Sequence, residues 1–584
     1  MKELQYLNKY LRKYKGKLII GILITVVARI FSLFTPRLVG NSMTAIERYV
    51  NDKAAYQDTI QDTLLINIGL IIAASLVSGF FTFLMRQTII NVSRYIEFDL
   101  KNEIYEHYQV LCSTFYKKNR TGDLMSRISE DVSKVRMYFG PAIMYSINTI
   151  ALFVIVIAYM ISIAPSLTIY TLLPLPFLSY TIYKLSRAIN QKSTVVQETL
   201  SRLSSFTQEV FSGIAIIKSY NIQPTIKSNF EILSIESKDN NVALAKVQAW
   251  FFPLMILLIG ISNLLVIFIG GKQYIAGEIE IGVLAEFIIY VTMLTWPVAT
   301  VGWVTSIIQQ AEASQKRINA FLKEEPTIKN GESNSEIKKG SVIFENVSFT
   351  YPDKGIKALD NISIHVKEGQ TWGIVGNTGA GKSTLLELIA RLYDPSQGEI
   401  RIDQKNINTL KLKNLRDTIG YVPQNPFLFS ESIKQNIQFG KGDATDNEIR
   451  NAARLANVEG NIDQFSNGFE TLLGERGVTL SGGQIQRISI ARALIKDPTI
   501  LLFDDCLSAV DADTEKQILV NLKEVSKAKT TFIVSHRISS VKDADQIIVL
   551  ENGQLIQQGT HEELVKSEGH YRNLAEKQAL QKEK

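Results

Sequence analysis

Gly376-Asn377-Thr378-Gly379-Ala380-Gly381-Lys382-Ser383 has the spacing of a phosphate-binding loop: a glycine, four residues, then Gly-Lys-Ser. Before it, Thr371-Trp372-Gly373-Ile374-Val375 reads as a short buried strand; after it, Thr384 to Leu392 is apolar at helical spacing. The loop thus lies between a strand end and a helix start, where an α/β sheet places such a cradle. The residue types follow from the chemistry. Glycines let backbone N–H groups turn inward around a phosphate, and the helix N-terminus adds partial positive charge. The cradle runs from Gly376 to Thr384, with Lys382 reaching the β- and γ-phosphates of a nucleotide and the Ser383 hydroxyl suited to Mg²⁺.

Downstream, Ile500-Leu501-Leu502-Phe503-Asp504-Asp505 is an apolar strand that ends in two acids. Strand ends are where α/β proteins hold their chemistry. Asp504 suits the carboxylate that organises Mg²⁺, and Asp505 is placed to orient or activate an attacking water. Leu480-Ser481-Gly482-Gly483-Gln484 opens a helix that runs through Arg487 and Arg492. It is either a second phosphate-binding turn or a serine cap followed by flexible glycines. Two phosphate-binding turns exceed the needs of one nucleotide, which suggests that one serves a nucleotide held by another domain. Gln424, after the strand ending Tyr421-Val422-Pro423, is positioned to ligate Mg²⁺ or sense the γ-phosphate. His536, ending Ile533-Val534-Ser535, is either structural or a γ-phosphate contact. Upstream, Val342–Phe344 and Val347–Tyr351 alternate as strands. Tyr351 either stacks on an adenine ring or closes the strand-end core.

The first half of the chain has a different character. Residues 1–17 are basic, with Leu and Tyr at helical spacing, and read as an amphipathic helix on the inner membrane surface. Leu18 to about Leu38 is long and apolar enough to span a bilayer, interrupted by Arg29 and Arg37. Arg29 is expected to face a bundle interior or a watery cavity, and Arg37 to do the same or reach the interface. Five further spans are expected: Leu64–Met85, Ala142–Ala164, Leu167–Tyr183, Trp250–Gly270 and Val283–Ile308. Six spans put both termini on one side, and the basic N-terminus marks that side as cytoplasmic. The stretches from Met85 to Ala142 and from Tyr183 to Trp250 are long, charged and helical. They are expected to extend well beyond the membrane, turning at Asn119–Leu124 and Ser212–Ala215, to touch another domain.

With 584 residues the chain is too long for one core. The expected organisation is a transmembrane domain over 1–322, a polar Pro- and Gly-containing linker over 323–340, an α/β P-loop ATPase domain over 341–577 and a polar tail over 578–584. No removable signal peptide is evident. Cys112 and Cys506 are far apart and lack metal spacing, which fits soluble parts facing a reducing cytoplasm. A net charge of +6 is small for this length and points to no nucleic-acid partner.

Taken together, these motifs resemble those of an ABC transporter, in order and spacing. Tyr351 matches the adenine-stacking aromatic, Gly376–Ser383 the Walker A loop and Gln424 the Q-loop. Leu480–Gln484 reads LSGGQ, the family signature. Asp504 matches the Walker B aspartate, Ser508–Asp511 the D-loop and His536 the switch histidine. Thr471–Gly477 resembles the stretch that meets the coupling helices. The first half is similar to the helical six-span domain of type IV ABC exporters. The resemblance implies that the turns near Arg120–Leu124 and Gly213–Ser219 are coupling helices and that ATP and Mg²⁺ are bound. It also implies a half-transporter in the plasma membrane, among membrane lipids, whose ATP sites form between one chain's P-loop and another's signature. One position departs from the pattern: Asp505 stands where the family's catalytic Glu belongs. That implies a slow site of the kind found in heterodimeric bacterial multidrug exporters, with a partner half-transporter bearing Glu and a small amphipathic cargo. The alternatives are a homodimeric lipid or peptide exporter, or an ATP-gated channel or regulatory subunit.

Overall fold

The computed structural model describes residues 2–474 and 480–582. It divides into two compact units: Met1–Gln109 with Thr121–Glu324, and Val110–Arg120 with Glu325–Lys584.

The first unit is all helical, and five of its helices are long and apolar enough to cross a membrane: Lys15–Asn51, Ile60–Val110, Thr121–Ile163, Gln223–Ile275 and Ile281–Leu322. The expected span Leu167–Tyr183 is divided between Pro165–Leu172 and Pro174–Ser212. Pro174 and Pro176 lack the N–H that a continuous helix needs, and both stand in the first turn of the second helix, where that loss costs least. Proline also accounts for the wide turn at Tyr138–Ala142, where Pro141 interrupts the regular ladder. Arg29 has a partner within the first unit: its Nε donates to Asn148 Oδ1 at 2.6 Å. Close approach of Lys15–Asn51 and Ile281–Leu322 is allowed by glycine, since a Cβ on Gly282 would lie 2.2 Å from the Gly40 carbonyl oxygen.

The N-terminal residues differ from their expected place on a membrane surface. Leu4, Leu7 and Tyr10 are buried within the unit. Lys9 and Tyr10 reach Glu103, and Lys13 pairs with Asp99 at 2.7 Å, both acids lying on the helix Ile60–Val110. The apolar face that would have met lipid is spent on protein.

The first cytoplasmic turn is also displaced from its expected position. The chain breaks at Leu111 and Cys112, forms the short helix Ser113–Lys118, breaks again at Asn119, and resumes at Thr121. The packed segment is thus Val110–Arg120 rather than Arg120–Leu124, and it belongs to the second unit. Its Cys112 Sγ accepts a hydrogen bond from the Ile328 N–H at 3.2 Å. The second turn lies where expected, as the short helix Ile214–Ser219 after Gly213. At this tip Phe211, Ile216 and Tyr220 are 69%, 62% and 75% exposed, an apolar surface.

The second unit carries two sheets. An antiparallel sheet has the order β2-β1-β4-β5, with β1 Val342–Thr350, β2 Lys357–Val366, β4 Gln397–Ile402 and β5 Lys405–Asn406. The main sheet has the order β10-β9-β3-β8-β7-β6, with β3 Thr371–Gly376, β6 Ile419–Val422, β7 Ile500–Asp504, β8 Thr530–Val534, β9 Gln546–Glu551 and β10 Gln554–Gly559. Strands β9, β3, β8, β7 and β6 are parallel, and β10 is antiparallel to β9. A parallel sheet is covered on both faces, which explains the unbroken apolar runs of β3 and β7. Ile374, Leu502 and Phe503 are essentially fully buried, each worth about 1.5–3 kcal/mol on transfer from water. This register brings the C-terminal ends of β3, β7 and β8 side by side. The expected tail from 578 does not separate: the helix His570–Lys582 continues through it, because Gln578 is bound to the main chain beside β8. Glu475, Arg476 and Gly477 of the Thr471–Gly477 stretch lie outside the described residues.

Candidate active site

The loop after β3 turns sharply into the helix Lys382–Ile389. Gly381 has φ 97°, and a Cβ there would lie 2.3 Å from the Ala358 carbonyl oxygen, so both conformation and space require glycine. Lys382 is folded over the loop, its Nζ donating to the carbonyls of Gly376 at 2.8 Å and Asn377 at 2.9 Å. Burial pulls its pKa down, while the Asp505 and Asp504 carboxylates oppose that shift. Ser383 Oγ donates to Asp504 Oδ1 at 2.9 Å, linking the loop to the end of β7. Asp504 is nearly inaccessible, and burial pushes its carboxyl up to about 6; the Ser383 hydrogen bond opposes this, and Glu387 and Asp505 add to it. A hydroxyl, a carboxylate and the nearby Gln424 amide form an oxygen-donor set of the kind a hard divalent cation takes.

One cavity of about 430 Å³ gathers Tyr351, Thr378 to Thr384, Gln424, Asp504, Asp505 and His536. Residues separated by up to 185 positions in the sequence thus meet because β3, β7 and β8 are neighbours. Asp505 is held tightly: its N–H donates to the Val534 carbonyl at 2.9 Å, its own carbonyl accepts from Ser508 Oγ at 2.9 Å, and its φ is 44°. His536 is exposed, and its carbonyl accepts from Gln578 Nε2 at 2.6 Å. Tyr351 is half-buried, edge-on to Phe349 and Tyr393, with its hydroxyl 2.9 Å from both Thr384 Oγ1 and Glu387 Oε2. The tyrosine thus packs into the strand-end core and also borders the cavity.

Ser481, Gly482, Gly483 and Gln484 are not among the residues lining that cavity. Ser481 caps the helix Gly482–Leu494 reciprocally: its Oγ accepts from the Gln484 N–H, and Gln484 Oε1 accepts from the Ser481 N–H at 2.9 Å. Beside it, Gln486 holds Ser508 Oγ at 3.2 Å and accepts from the Ala509 N–H at 3.1 Å. The signature turn and the Ser508–Asp511 loop therefore form one assembly, tied at Asp505 to the P-loop cavity.

Three residues escaped the sequence reading. Lys117, on the Ser113–Lys118 helix, lies 5.6 Å from the Tyr351 ring centre, 5.1 Å from that of Tyr393 and 3.6 Å from Glu387. Nothing in its local sequence marks it. Glu387 carried a signal, as an acid inside the apolar run Leu385–Ile389. Gln578 carried none, in a segment that reads as polar tail.

A family model described as the ABC transporter transmembrane region matches residues 18–298, and one described as ABC transporter matches 359–508. The chain belongs to the ABC transporters. It is 34% identical over 579 residues to the probable multidrug resistance ABC transporter ATP-binding/permease protein YheI of Bacillus subtilis (strain 168), covering 99% of this chain and 98% of that one. It is 33% identical over 577 residues to the multidrug resistance-like ATP-binding protein MdlA of Escherichia coli (strain K12), covering 99% and 96%. A bacterial Atm1-family ABC exporter solved with ATP bound superposes with a TM-score of 0.79 at 25% identity, covering 97% of this chain and 98% of the other. This ABC transporter is accordingly a fused half-transporter, a multi-pass membrane protein with a cytoplasmic ATPase domain that couples ATP hydrolysis to export. Transporters of this kind work as dimers.

Proposed function

We propose that this ABC transporter is one half of a two-chain exporter of lipophilic or amphipathic compounds, and that ATP held at its own P-loop is hydrolysed slowly. The observation that carries the reading is the pairing of a complete P-loop cavity with an Asp at 505, whose backbone is anchored on both sides. In this reading the transmembrane domain spans 1–322 and the ATPase domain runs from 341 through the helix His570–Lys582. The backbone of Gly376–Gly381 and the Lys382 ammonium bind the β- and γ-phosphates, and Tyr351 borders the base. Ser383, Asp504 and Gln424 hold Mg²⁺, which supplies charge neutralisation on the phosphates. The Asp505 carboxylate accepts a proton from the attacking water, and His536 meets the γ-phosphate. Asp is one methylene shorter than Glu, so this carboxylate falls short by about 1.5 Å. A misplacement of about 1 Å costs on the order of a hundredfold in rate.

The signature Ser481–Gln484 stands apart from this chain's own cavity, which supports its completing a partner's site. The exposed apolar side chains of Phe211, Ile216 and Tyr220 support a docking contact on a second chain. The partner would be a different half-transporter with Glu at the position matching Asp505. A homodimer is the second reading, favoured by the intact signature, which would serve two like sites.

Vanadate trapping with a photoreactive ATP analogue tests the proposal on the complex purified from membranes. This chain should label on nucleotide binding yet trap little nucleotide after turnover, with trapping concentrated on the partner. Equal trapping on this chain would overturn the slow-site reading.

A further inference from the structure

The membrane unit contains a cavity of about 730 Å³ walled by the helices Thr121–Ile163, Pro174–Ser212 and Ile281–Leu322. Its size is that of a site for a drug-sized molecule. Its lining divides by chemistry along the helix Pro174–Ser212. Ile182, with Ile150, Phe153 and Val154 from the neighbouring helix, makes a mainly apolar end, in which Ser179 and Thr149 are the polar lining residues. Tyr183, Arg187, Asn190 and Thr194 follow at helical spacing on one face, so the wall becomes polar over about 18 Å of rise from Ile182 to Thr194. Thr305, Ser306 and Gln309 extend the polar end from the helix opposite. Gly302 keeps the two helices close there, since a Cβ on it would lie 2.8 Å from Ser186 Oγ.

Arg187 is the one charged side chain among the lining residues described, and no acid among the described residues pairs with it. The surrounding sequence reinforces the sign. Between Pro174 and Gln197 stand Lys184, Arg187 and Lys192, and no Asp or Glu. An arginine facing a cavity is satisfied by an anion, and its planar fork suits carboxylate, sulfonate or phosphate oxygens. The apolar end lies toward the expected span Leu167–Tyr183, and Arg187 lies one turn past it. A guest with an apolar body and an anionic head fits both ends at once.

We propose that this cavity is a cargo subsite for anionic amphipaths. The inference rests on the export reading and gives it a substrate class. A resident anionic lipid presents the same head-and-body chemistry, so the test separates the two sources.

The test uses the full complex in phosphatidylcholine nanodiscs without nucleotide, with dansyl-undecanoate as the probe. Dodecanoate, dodecyltrimethylammonium and dodecyl maltoside compete against it. Dodecanoate should displace the probe roughly tenfold more strongly than the other two, as expected for one charge-assisted contact. Arg187→Gln should remove the preference, Arg187→Lys should retain most of it, and Arg187→Glu should turn it toward the cation. Equal displacement by all three heads, or an order left unchanged by Arg187→Glu, would overturn the proposal. In nanodiscs containing phosphatidylglycerol, an Arg187-dependent loss of probe binding identifies a lipid head group as the anion; undiminished binding identifies a free amphipath. Because binding is read without ATP, failure of ATP-driven export in proteoliposomes would strike the function and leave the subsite standing.

Discussion

Replacing Asp505 by Glu is expected to speed hydrolysis at this chain's P-loop while slightly destabilising the fold, two effects of opposite sign. The backbone of Asp505 cannot slide to compensate for a short side chain, since the Val534 carbonyl holds its N–H and Ser508 holds its carbonyl. Asp505→Glu therefore extends the carboxylate by about 1.5 Å toward the γ-phosphate position. Since a misplacement of about 1 Å costs on the order of a hundredfold, a gain of about a hundredfold or more in turnover follows. Against this, φ at 505 is 44°, a left-handed conformation that Asp accepts better than Glu, and the substitution costs on the order of 1 kcal/mol at most. The assay is phosphate release by the reconstituted complex in which the partner's P-loop lysine has been replaced, so that one site reports. Thermal unfolding of the same sample reports stability. Unchanged turnover in a variant that still folds would refute the carboxylate-reach argument.

Other consequences follow from single contacts. Ser481→Ala removes the cap of the Gly482–Leu494 helix, worth about 1 kcal/mol, and should lower hydrolysis at the partner's P-loop while leaving nucleotide binding at this chain's own loop intact; the single-site assay distinguishes the two. Gln578→Ala releases the His536 carbonyl and the Ile538 N–H, and should reduce turnover several-fold with little change in nucleotide affinity, each lost hydrogen bond contributing about 0.5–1.5 kcal/mol. Cys506 is buried and burial pushes its thiol well up, so maleimide should spare it in the native protein and modify it only in denaturant, as mass spectrometry of the digested chain would show.

The parts of this molecule that were legible in its sequence are those whose chemistry is local. Gly376–Ser383 declares itself because a cradle, a lysine and a hydroxyl must lie within one turn. Asp504, Asp505, Gln424 and His536 were legible as strand ends, and the parallel order β3-β8-β7-β6 brings those ends together. What escaped depends on packing between distant segments. Lys117 reaches Tyr351 and Glu387 only because the Val110–Arg120 segment packs with the ATPase unit. Gln578 matters only because the last helix returns to β8. Residues 1–17 have an amphipathic pattern that suits a membrane surface and a protein groove equally well. Leu4, Leu7 and Tyr10 are buried in protein because Asp99 and Glu103 offer Lys9, Tyr10 and Lys13 partners along the same groove. The Leu167–Tyr183 stretch has the composition of a span, but Pro174 and Pro176 divide it into two helices.

The central claim is that this chain works as one unlike half of a pair, and the composition of the native complex tests it most directly. Purification of the tagged chain from its own membranes, followed by native mass spectrometry, should yield an equimolar complex with a second half-transporter. That partner should carry Glu after its Walker B aspartate. Recovery of a complex containing this chain alone, in two copies, would contradict the account, because both sites would then carry Asp505.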